Sequence, residues 1–151
     1  MTEEVPRALE LTRPMELMRD ARTIVVVGVT TEKQRPANEI AAYLISAGFD
    51  VHLVNDLEAG REFLGRTIFP SVQAVTGGFG VTVDIVDIFR RPADVPPHVE
   101  DAIAAGARCV WMQLGIVNEE AAERARSAGL EVVMDRCTKV EHQRLRYASP
   151  G

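Results

Sequence analysis

The stretch that decides the fold is RTIVVVGVTTEKQRPANEIAAYLISAGFDVHLVN, residues 22–55. A β-branched run turns at Gly28, a helix opened by Pro36 ends at Gly48, and a second apolar run follows. This order predicts a βαβ unit with an anion site at the helix N-terminus, although the G-x-G-x-x-G spacing of the usual dinucleotide fingerprint is missing. Since one glycine also suits a plain tight turn, phosphate binding stays open at this point.

The same rhythm of apolar run and helix continues to the end of the chain. The predicted strands are Ile24–Val27, Val51–Val54, Thr67–Phe69, Asp84–Phe89, Cys109–Gln113 and Val132–Met134. Helices are predicted after Pro14, Pro36, Pro96-Pro97 and Asn118. Unalternating β-branched strands are typical of a parallel sheet covered on both faces. The pattern therefore predicts an α/β fold, a Rossmann-like doubly wound sheet in three layers and one domain, with strand order 3-2-1-4-5-6.

The sequence also predicts how the chain is divided and which connection is mobile. Residues 1–21 read as a polar segment followed by a short helix that caps one edge of the sheet, residues 22–146 as the domain, and residues 147–151 as a tail. The glycine-rich run TGGFGVT, residues 76–82, is predicted to be a mobile connection.

Composition narrows the classes of function. The chain has 151 residues, 46% hydrophobic and 26% charged, and a formal charge of -5, which argues against nucleic acid and against anionic membrane surfaces. No apolar run approaches the ~20 residues that span a bilayer, and no signal-peptide pattern is visible, so we expect a cytoplasmic protein. Cys109 and Cys137 have neither disulfide-framework nor metal-ligand spacing, so we predict no metal.

The chemistry is expected where strands end, because ligands of such sheets bind outside the carboxyl ends of the strands. The residues in question are Gly28, Val29, Thr30, Thr31, Lys33, Arg35 and Pro36; Asn55 and Asp56; Phe89, Arg90, Arg91 and Pro92; Gln113, Leu114 and Gly115; and Asp135, Arg136 and Cys137. For an acidic protein this edge carries many cations. Solubility and ordinary ion pairing are the alternative interpretation for any single one of them.

Five segments, taken together, resemble a known family. They are VVGVTTEKQRP, GFDVHLVN, DIVDIFRRP, VWMQLGIVNEEA and VVMDRCTKVEH, in that order between about Arg22 and Leu145. They resemble the stand-alone CoA-binding proteins, relatives of the CoA-binding domain of the succinyl-CoA synthetase alpha subunit. The resemblance implies a Rossmann-like fold that binds coenzyme A or an acyl-CoA across the strand ends.

The resemblance also implies roles for single residues. Gly28, with Thr30 or Thr31 and with Lys33 and Arg35, would hold the CoA phosphates. Asn55 matches the asparagine that closes the second strand, and the segment from Phe89 to Pro92 would flank the nucleotide, with Phe89 and Pro92 against adenine. Gln113-Leu114-Gly115 and Arg136-Cys137 match the last two strand-end signatures without an assigned role. The chain departs from the family at Asp56, where proline is usual, and Glu58 adds a second carboxylate beside the expected polyphosphate.

No set of residues in the sequence assembles a reaction, so we expect binding without catalysis and leave open whether the chain is an enzyme. His52, His98 and His142 are interpreted as structural or solvated. A Cys137–His142 pair would require a helix turn between them and lacks an orienting third group. Asp84 and Asp87 should face opposite sides of their strand. A mixed disulfide of Cys137 with the CoA thiol is a hypothesis that the intact mass of protein treated with oxidised CoA would test.

Two alternative functions remain. An NAD(P)- or adenine-nucleotide-binding protein would use Asp56 on a ribose, but this acid falls 28 positions after Gly28 rather than ~20 beyond a glycine motif. A protein-interaction scaffold with a degenerate pocket would bind no soluble cofactor. The expected partner is a small CoA ligand, and homodimer formation is left open.

Overall fold

A computed structural model describes residues 10–32 and 34–148 of the chain. Its strands are β1 (Thr23–Val27), β2 (Asp50–Val54), β3 (Glu62–Phe63), β4 (Arg66–Phe69), β5 (Ile85–Ile88), β6 (Cys109–Met112) and β7 (Glu131–Val133). Its α-helices are α1 (Arg13–Asp20), α2 (Pro36–Ser46), α3 (Val72–Phe79), α4 (Val95–Ala104), α5 (Glu119–Ser127) and α6 (Thr138–Arg144). Short 3₁₀ turns cover Pro92–Asp94 and Leu145–Tyr147. No helix in the described part of the chain is long and apolar enough to cross a membrane.

The strands form one seven-stranded sheet in the order β3-β4-β2-β1-β5-β6-β7. All pairs are parallel except β3–β4. The six predicted strands therefore stand in the predicted order, and the prediction of a doubly wound α/β sheet is confirmed. Sequence reasoning missed β3, because two exposed or half-exposed residues antiparallel to β4 carry no apolar period.

The register brings the strand ends level with one another. Val27 lies beside Val54 of β2 and Ile88 of β5, and Ile88 lies beside Met112 of β6. Each of the four strands therefore ends at the same height, and the next residue of each stands at the carboxyl edge of the sheet. This register, rather than nearness in sequence, assembles the site.

Two apolar layers cover the faces of the sheet. Val25 and Val27 of β1 pack with α3, α4 and α5, while Ile24 and Val26 pack with α1 and α2. Every residue of β1 is buried, as predicted for a strand covered on both faces. Trp111 also lies wholly in the core, as the sequence predicted.

The prediction of a mobile connection over residues 76–82 is wrong in its first half, where α3 runs to Phe79 and ends at Gly80 in the left-handed conformation. The hydroxyl of Ser71 caps α3 by accepting the N–H of Ala74 at 3.0 Å. The carboxylate of Asp101 accepts the N–H of Val72 at 2.7 Å, so a neighbouring helix also fixes this end. Caps and tertiary packing thus outweigh the low helix propensity of glycine.

Helix α1 begins one residue before Pro14 and buries Met15 and Met18. It packs against α6. The guanidinium of Arg13 also lies 2.7 Å from the carboxylate of Glu131, in edge strand β7. Helix α1 thus packs mainly on α6 and contacts edge strand β7 through one ion pair, while the division of the chain at residues 21 and 146 stays a prediction.

Candidate ligand-binding cleft

A cleft of about 780 Å³ runs along the carboxyl edge of the sheet, at the point where the strand order reverses. Most of the predicted site residues line it: Gly28, Thr30, Arg35, Pro36, Asn55, Phe89, Arg90, Arg91, Pro92, Gln113, Leu114 and Cys137. Glu58, expected beside the polyphosphate, lines it as well. Sequence reasoning missed Ala37, Glu39, Ile40, Leu57 and Ile116, which also line it. Three of these, Ala37, Leu57 and Ile116, lie within two residues of a predicted site segment, so extending each segment by two residues finds them.

Three other predicted residues, Val29, Gly115 and Arg136, lie beside the cleft rather than in its lining. Val29 is wholly buried, and its carbonyl accepts a hydrogen bond from Asn55 at 2.9 Å. The N–H of Gly115 donates to Asp135 at 2.7 Å, and the carbonyl of Arg136 accepts from the Trp111 indole at 2.8 Å. These residues shape the strand ends through their backbones.

One predicted phosphate-binding residue of the first loop, Thr31, is placed differently, and a second is not described. The hydroxyl of Thr31 accepts a hydrogen bond from Arg61 at 3.4 Å, outside the cleft lining. Lys33 lies outside the described residues. Thr30 and Arg35 are thus the members of the predicted polar set of this loop that the structure places in the cleft.

Gly28 is required by the fold as well as by the cleft. It has a φ of 110°, and a Cβ added to it would lie 2.5 Å from the carbonyl oxygen of Phe89. The ends of β1 and β5 approach so closely that a side chain here is excluded. The tight-turn interpretation of Gly28 therefore holds, and the same lack of a side chain leaves room for a ligand above the backbone.

Asn38 holds the first loop in place and was missed by sequence reasoning. Its side chain is 2% exposed, and its Oδ1 accepts the N–H of Thr30 at 3.0 Å. Its Nδ2 donates to the carbonyls of Thr30 and Glu32. The available signal is a polar amide beside Ala37 and Ala41 on the buried side of α2. The loop is therefore built before any ligand arrives.

Arg35 offers a cation beside the N-terminus of α2. Its Nη2 lies 2.8 Å from the carboxylate of Glu32, and the two side chains are 56% and 67% exposed. An exposed pair of this kind stabilises a fold by about 0–1 kcal/mol, so an anionic ligand can replace Glu32 at little cost. The positive end of the dipole of α2, where Pro36 and Ala37 line the cleft, favours the same charge.

Asn55 and Arg90 link the end of β2 to the end of β5. Asn55 is 2% exposed, and its Oδ1 accepts from Arg90 Nη2 at 3.0 Å. The same Nη2 lies 3.4 Å from the carboxylate of Asp56. Glu58 in turn lies 3.3 Å from the guanidinium of Arg61. Each of the two unexpected carboxylates thus has a basic partner, which reduces its repulsion of a polyphosphate.

A buried polar chain lies beneath the other end of the cleft. Oε1 of Gln113 accepts the N–H of Thr138 at 3.1 Å and lies 3.2 Å from the Thr138 hydroxyl. The same hydroxyl lies 2.9 Å from Asp87 Oδ2. Burial raises the pKa of Asp87 well above its ordinary value, against a smaller opposite effect of Thr138. The carboxyl is therefore held toward its neutral form.

Two histidines, His142 and His52, and one cysteine, Cys109, have structural surroundings. Nδ1 of His142 lies 2.6 Å from the hydroxyl of Tyr43, an interaction between α6 and α2, and burial lowers the pKa of this histidine. Nε2 of His52 lies 3.2 Å from Asp50. Burial raises the pKa of the Cys109 thiol. Cys137 lines the cleft. Its mixed disulfide with CoA, formed by exchange with oxidised CoA and release of one CoA thiol, stays a prediction. Within the described residues no group of His, Cys, Asp and Glu is arranged to hold a metal ion.

These features define a Rossmann-like domain with a partly cationic cleft at its switch point. Residues 22–143 match the family described as CoA binding domain, and the chain belongs to this family. The family resemblance that the sequence analysis stated is thereby confirmed.

Individual relatives agree with this assignment. The uncharacterized protein YneT of Bacillus subtilis (strain 168) is 32% identical over 127 residues, which cover 84% of this chain and 90% of that protein. The solved structure of a hypothetical protein from Pyrococcus horikoshii OT3 is 35% identical, with a TM-score of 0.81 over 96% of this chain and 99% of that one. A structure from Thermus thermophilus, cell-free ID.343, is 34% identical, with a TM-score of 0.79 over 89% of this chain and 99% of that one.

Proposed function

We propose that this protein binds coenzyme A, free or acylated, in the cleft at the carboxyl edge of its sheet and catalyses no reaction on its own. The observation that carries the proposal is the placement of Arg35, Arg90 and Arg91 around one cleft in an acidic chain. That cleft is formed by the segment that matches the CoA binding domain family. Three cations near one edge suit a ligand with several phosphates.

The shape of the cleft supports a ligand with an extended apolar part as well. Its volume of about 780 Å³ is in the range of sites that bury a cofactor-sized ligand. Leu57 and Leu114 line it while 84% and 69% exposed, and Phe89, directly after β5, also lines it. Exposed leucines of this kind are typical of surfaces that a ligand covers. Adenine against Phe89 and Pro92 is the arrangement that we propose for the nucleotide.

We propose binding without catalysis because two histidines and two carboxyl groups have structural partners. Tyr43 contacts one ring nitrogen of His142 and Asp50 contacts one ring nitrogen of His52, so each imidazole has a structural partner. Asp84 accepts the backbone N–H groups of Arg22 and Thr23, while Asp87 binds Thr138, so the two carboxyls serve separate contacts. These groups hold the fold together rather than form an acid–base pair.

A thermal-shift panel with CoA, acetyl-CoA, dephospho-CoA, NAD, NADP and AMP tests the proposal. A ligand at 100 times its dissociation constant should raise the free energy of unfolding by ~2.7 kcal/mol. We expect stabilisation by CoA and acetyl-CoA at concentrations at which NAD has no effect. Stabilisation by NAD or AMP alone would instead support an adenine-nucleotide-binding protein. No shift with any compound would favour the protein-interaction scaffold.

A further inference from the structure

The side-chain amide of Gln113 is held in one orientation. A backbone N–H can only donate, so the 3.1 Å contact from the N–H of Thr138 must be accepted by Oε1 of Gln113. The opposite end of the amide, Nε2, is thereby turned away from Thr138. Gln113 is only 5% exposed and yet lines the cleft, so this NH₂ group faces the cleft.

The NH₂ group of Gln113 is a donor without an acceptor among residues 10–32 and 34–148. Gln113 is almost fully buried as a residue, but Nε2 is not among the buried unpaired atoms of the described residues, so this atom is accessible from the cleft. An amide donor that is fixed in orientation, unpaired within the protein and accessible from a cleft is suited to an acceptor supplied by a ligand.

The buried chain behind Gln113 keeps the donor in position. The hydroxyl of Thr138 has a single proton and lies between two oxygens, Asp87 Oδ2 at 2.9 Å and Gln113 Oε1 at 3.2 Å. When Asp87 is protonated it donates to Thr138, and Thr138 can then donate to Gln113, so every link holds one proton. Asp87 is in this sense a positioning residue for Gln113.

The surroundings of this donor select the chemistry of the acceptor. Leu114 and Ile116 are apolar, and Cys137, which also lines the cleft, directly precedes Thr138. An uncharged amide beside apolar side chains and a thiol matches an uncharged carbonyl oxygen better than a phosphate, which attracts the arginines elsewhere in the cleft. Resting on the proposed function, we infer that Nε2 of Gln113 binds a carbonyl oxygen in the thiol-bearing arm of CoA.

Two substitutions remove the donor in different ways. Gln113→Glu keeps an oxygen for the N–H of Thr138 and replaces NH₂ by an acceptor. Gln113→Met keeps the length and adds no charge. Gln143→Glu, in α6 and outside the cleft lining, is the matched control for added charge. Affinities are measured by calorimetric titration with CoA, acetyl-CoA and the nucleotide half of CoA, 3′-phosphoadenosine 5′-diphosphate.

We expect both Gln113 variants to bind CoA about tenfold more weakly than wild type. Their affinity for the nucleotide half should fall by less than about threefold, because that half has no arm carbonyl to lose. Equal losses for CoA and acetyl-CoA identify an amide carbonyl of the arm as the acceptor. A loss for CoA together with a larger loss for acetyl-CoA adds the thioester carbonyl as a second acceptor of the same NH₂ group. Gln143→Glu should bind all three ligands as wild type does.

Unchanged CoA affinity in the variants, or an equal loss for the nucleotide half in Gln113→Met, overturns the inference and leaves the proposed function standing. Wild-type protein that binds neither CoA nor acetyl-CoA overturns both. A measurement on wild type covers variants that fail to fold: the side-chain NH₂ signals of Gln113 in nitrogen-labelled protein should shift with CoA and stay in place with the nucleotide half. Identical shifts with both ligands contradict the inference.

Discussion

The cleft has two parts, one with charged and partly exposed side chains and one with neutral and buried side chains. The cationic rim (Arg35, Arg90 and Arg91) carries full charges whose partners are partly exposed carboxylates. The neutral floor (Gln113, Thr138 and Asp87) is buried and hydrogen-bonded, and its acid is held toward the neutral form. The difference follows from hydration: charged side chains stay close to water at the rim, whereas the buried acid of the floor is held toward its neutral form.

Exposure explains why the two parts differ. The side chain of Arg91 is 86% exposed and that of Asp94, its partner at 2.9 Å, is 46% exposed, so water screens the pair. Asp87 is 0% exposed, and its Oδ1 has no partner within the described residues. A charged carboxylate there would be costly. The rim is thus suited to exchange its carboxylate partners for phosphates, whereas the floor is suited to recognise a neutral group.

The largest expected effect comes from Gly28, which joins the two parts at the end of β1. Gly28→Ala forces a left-handed φ on alanine and a clash with the carbonyl of Phe89, so we expect a loss of about 3 kcal/mol in the free energy of unfolding. Gly48→Ala is the matched control, because Gly48 has a φ of 98° with nothing within 4 Å of an added Cβ. It should cost about 1 kcal/mol. Urea denaturation measures the free energy of unfolding of both variants. Equal losses would show that the close approach of β5 to Gly28 does not add to the cost of the substitution.

The next effect isolates the rim. Arg35→Ala should weaken CoA binding about tenfold, because a charged hydrogen bond to a phosphate is lost. Arg124→Ala is the matched control, since Arg124 also pairs with a glutamate, Glu100, at 2.8 Å, but outside the cleft lining. Calorimetric titration at two salt concentrations should show a smaller difference between wild type and Arg35→Ala at high salt. Unchanged affinity in Arg35→Ala would remove Arg35 from the site.

Rim and floor also differ in how far the sequence predicts them. The rim follows from local patterns, because basic residues come within a few positions of a strand end, as in Phe89-Arg90-Arg91 after β5. A parallel register then places these residues at one edge, so Asn55 and Arg90 were found although they lie 35 positions apart. Fold class and strand order could be predicted for the same reason, because β-branched runs and helix caps are local signals.

The floor was found only in part, because its partners come from segments far apart in the chain. Gln113 was selected by its position after β6, yet its orientation depends on Thr138, which is 25 residues away. Asn38 and Asp87 act through contacts that no periodicity encodes. Helix α3 was missed because its stability comes from Asp101 and a buried face rather than from its own glycine-rich sequence.

The third prediction tests the neutrality of the floor. When folding raises the pKa of an acid, the free energy of unfolding of the protein falls as the pH rises from the unfolded-state pKa toward the folded-state pKa. Asp87→Asn has no charge at any pH, so it should avoid this loss. We expect its free energy of unfolding to exceed that of wild type by about 1 kcal/mol at neutral pH. The difference should shrink toward pH 4 and below, where the carboxyl is protonated in both states.

Urea denaturation of both proteins across this pH range provides the measurement. Asp84→Asn is the control, since the carboxylate of Asp84 accepts the N–H groups of Arg22 at 2.9 Å and Thr23 at 3.0 Å outside the cleft lining. It should lower stability at neutral pH rather than raise it, because a charge-assisted contact is weakened. A parallel loss of stability in Asp87→Asn would mean that the buried carboxyl is charged and stabilising.

The smallest effect concerns Asp56, the departure from the family at the rim. Its carboxylate, 65% exposed, lies 3.4 Å from Arg90 and therefore competes with a ligand phosphate for the same guanidinium. Asp56→Asn should strengthen CoA binding about threefold and leave stability within ~0.5 kcal/mol, as for other exposed pairs. Asp20→Asn, which removes a similar exposed pair with Arg19, should leave the affinity unchanged. Weaker binding in Asp56→Asn would give Asp56 the opposite role: it would hold Arg90 in the position from which Arg90 binds the phosphate.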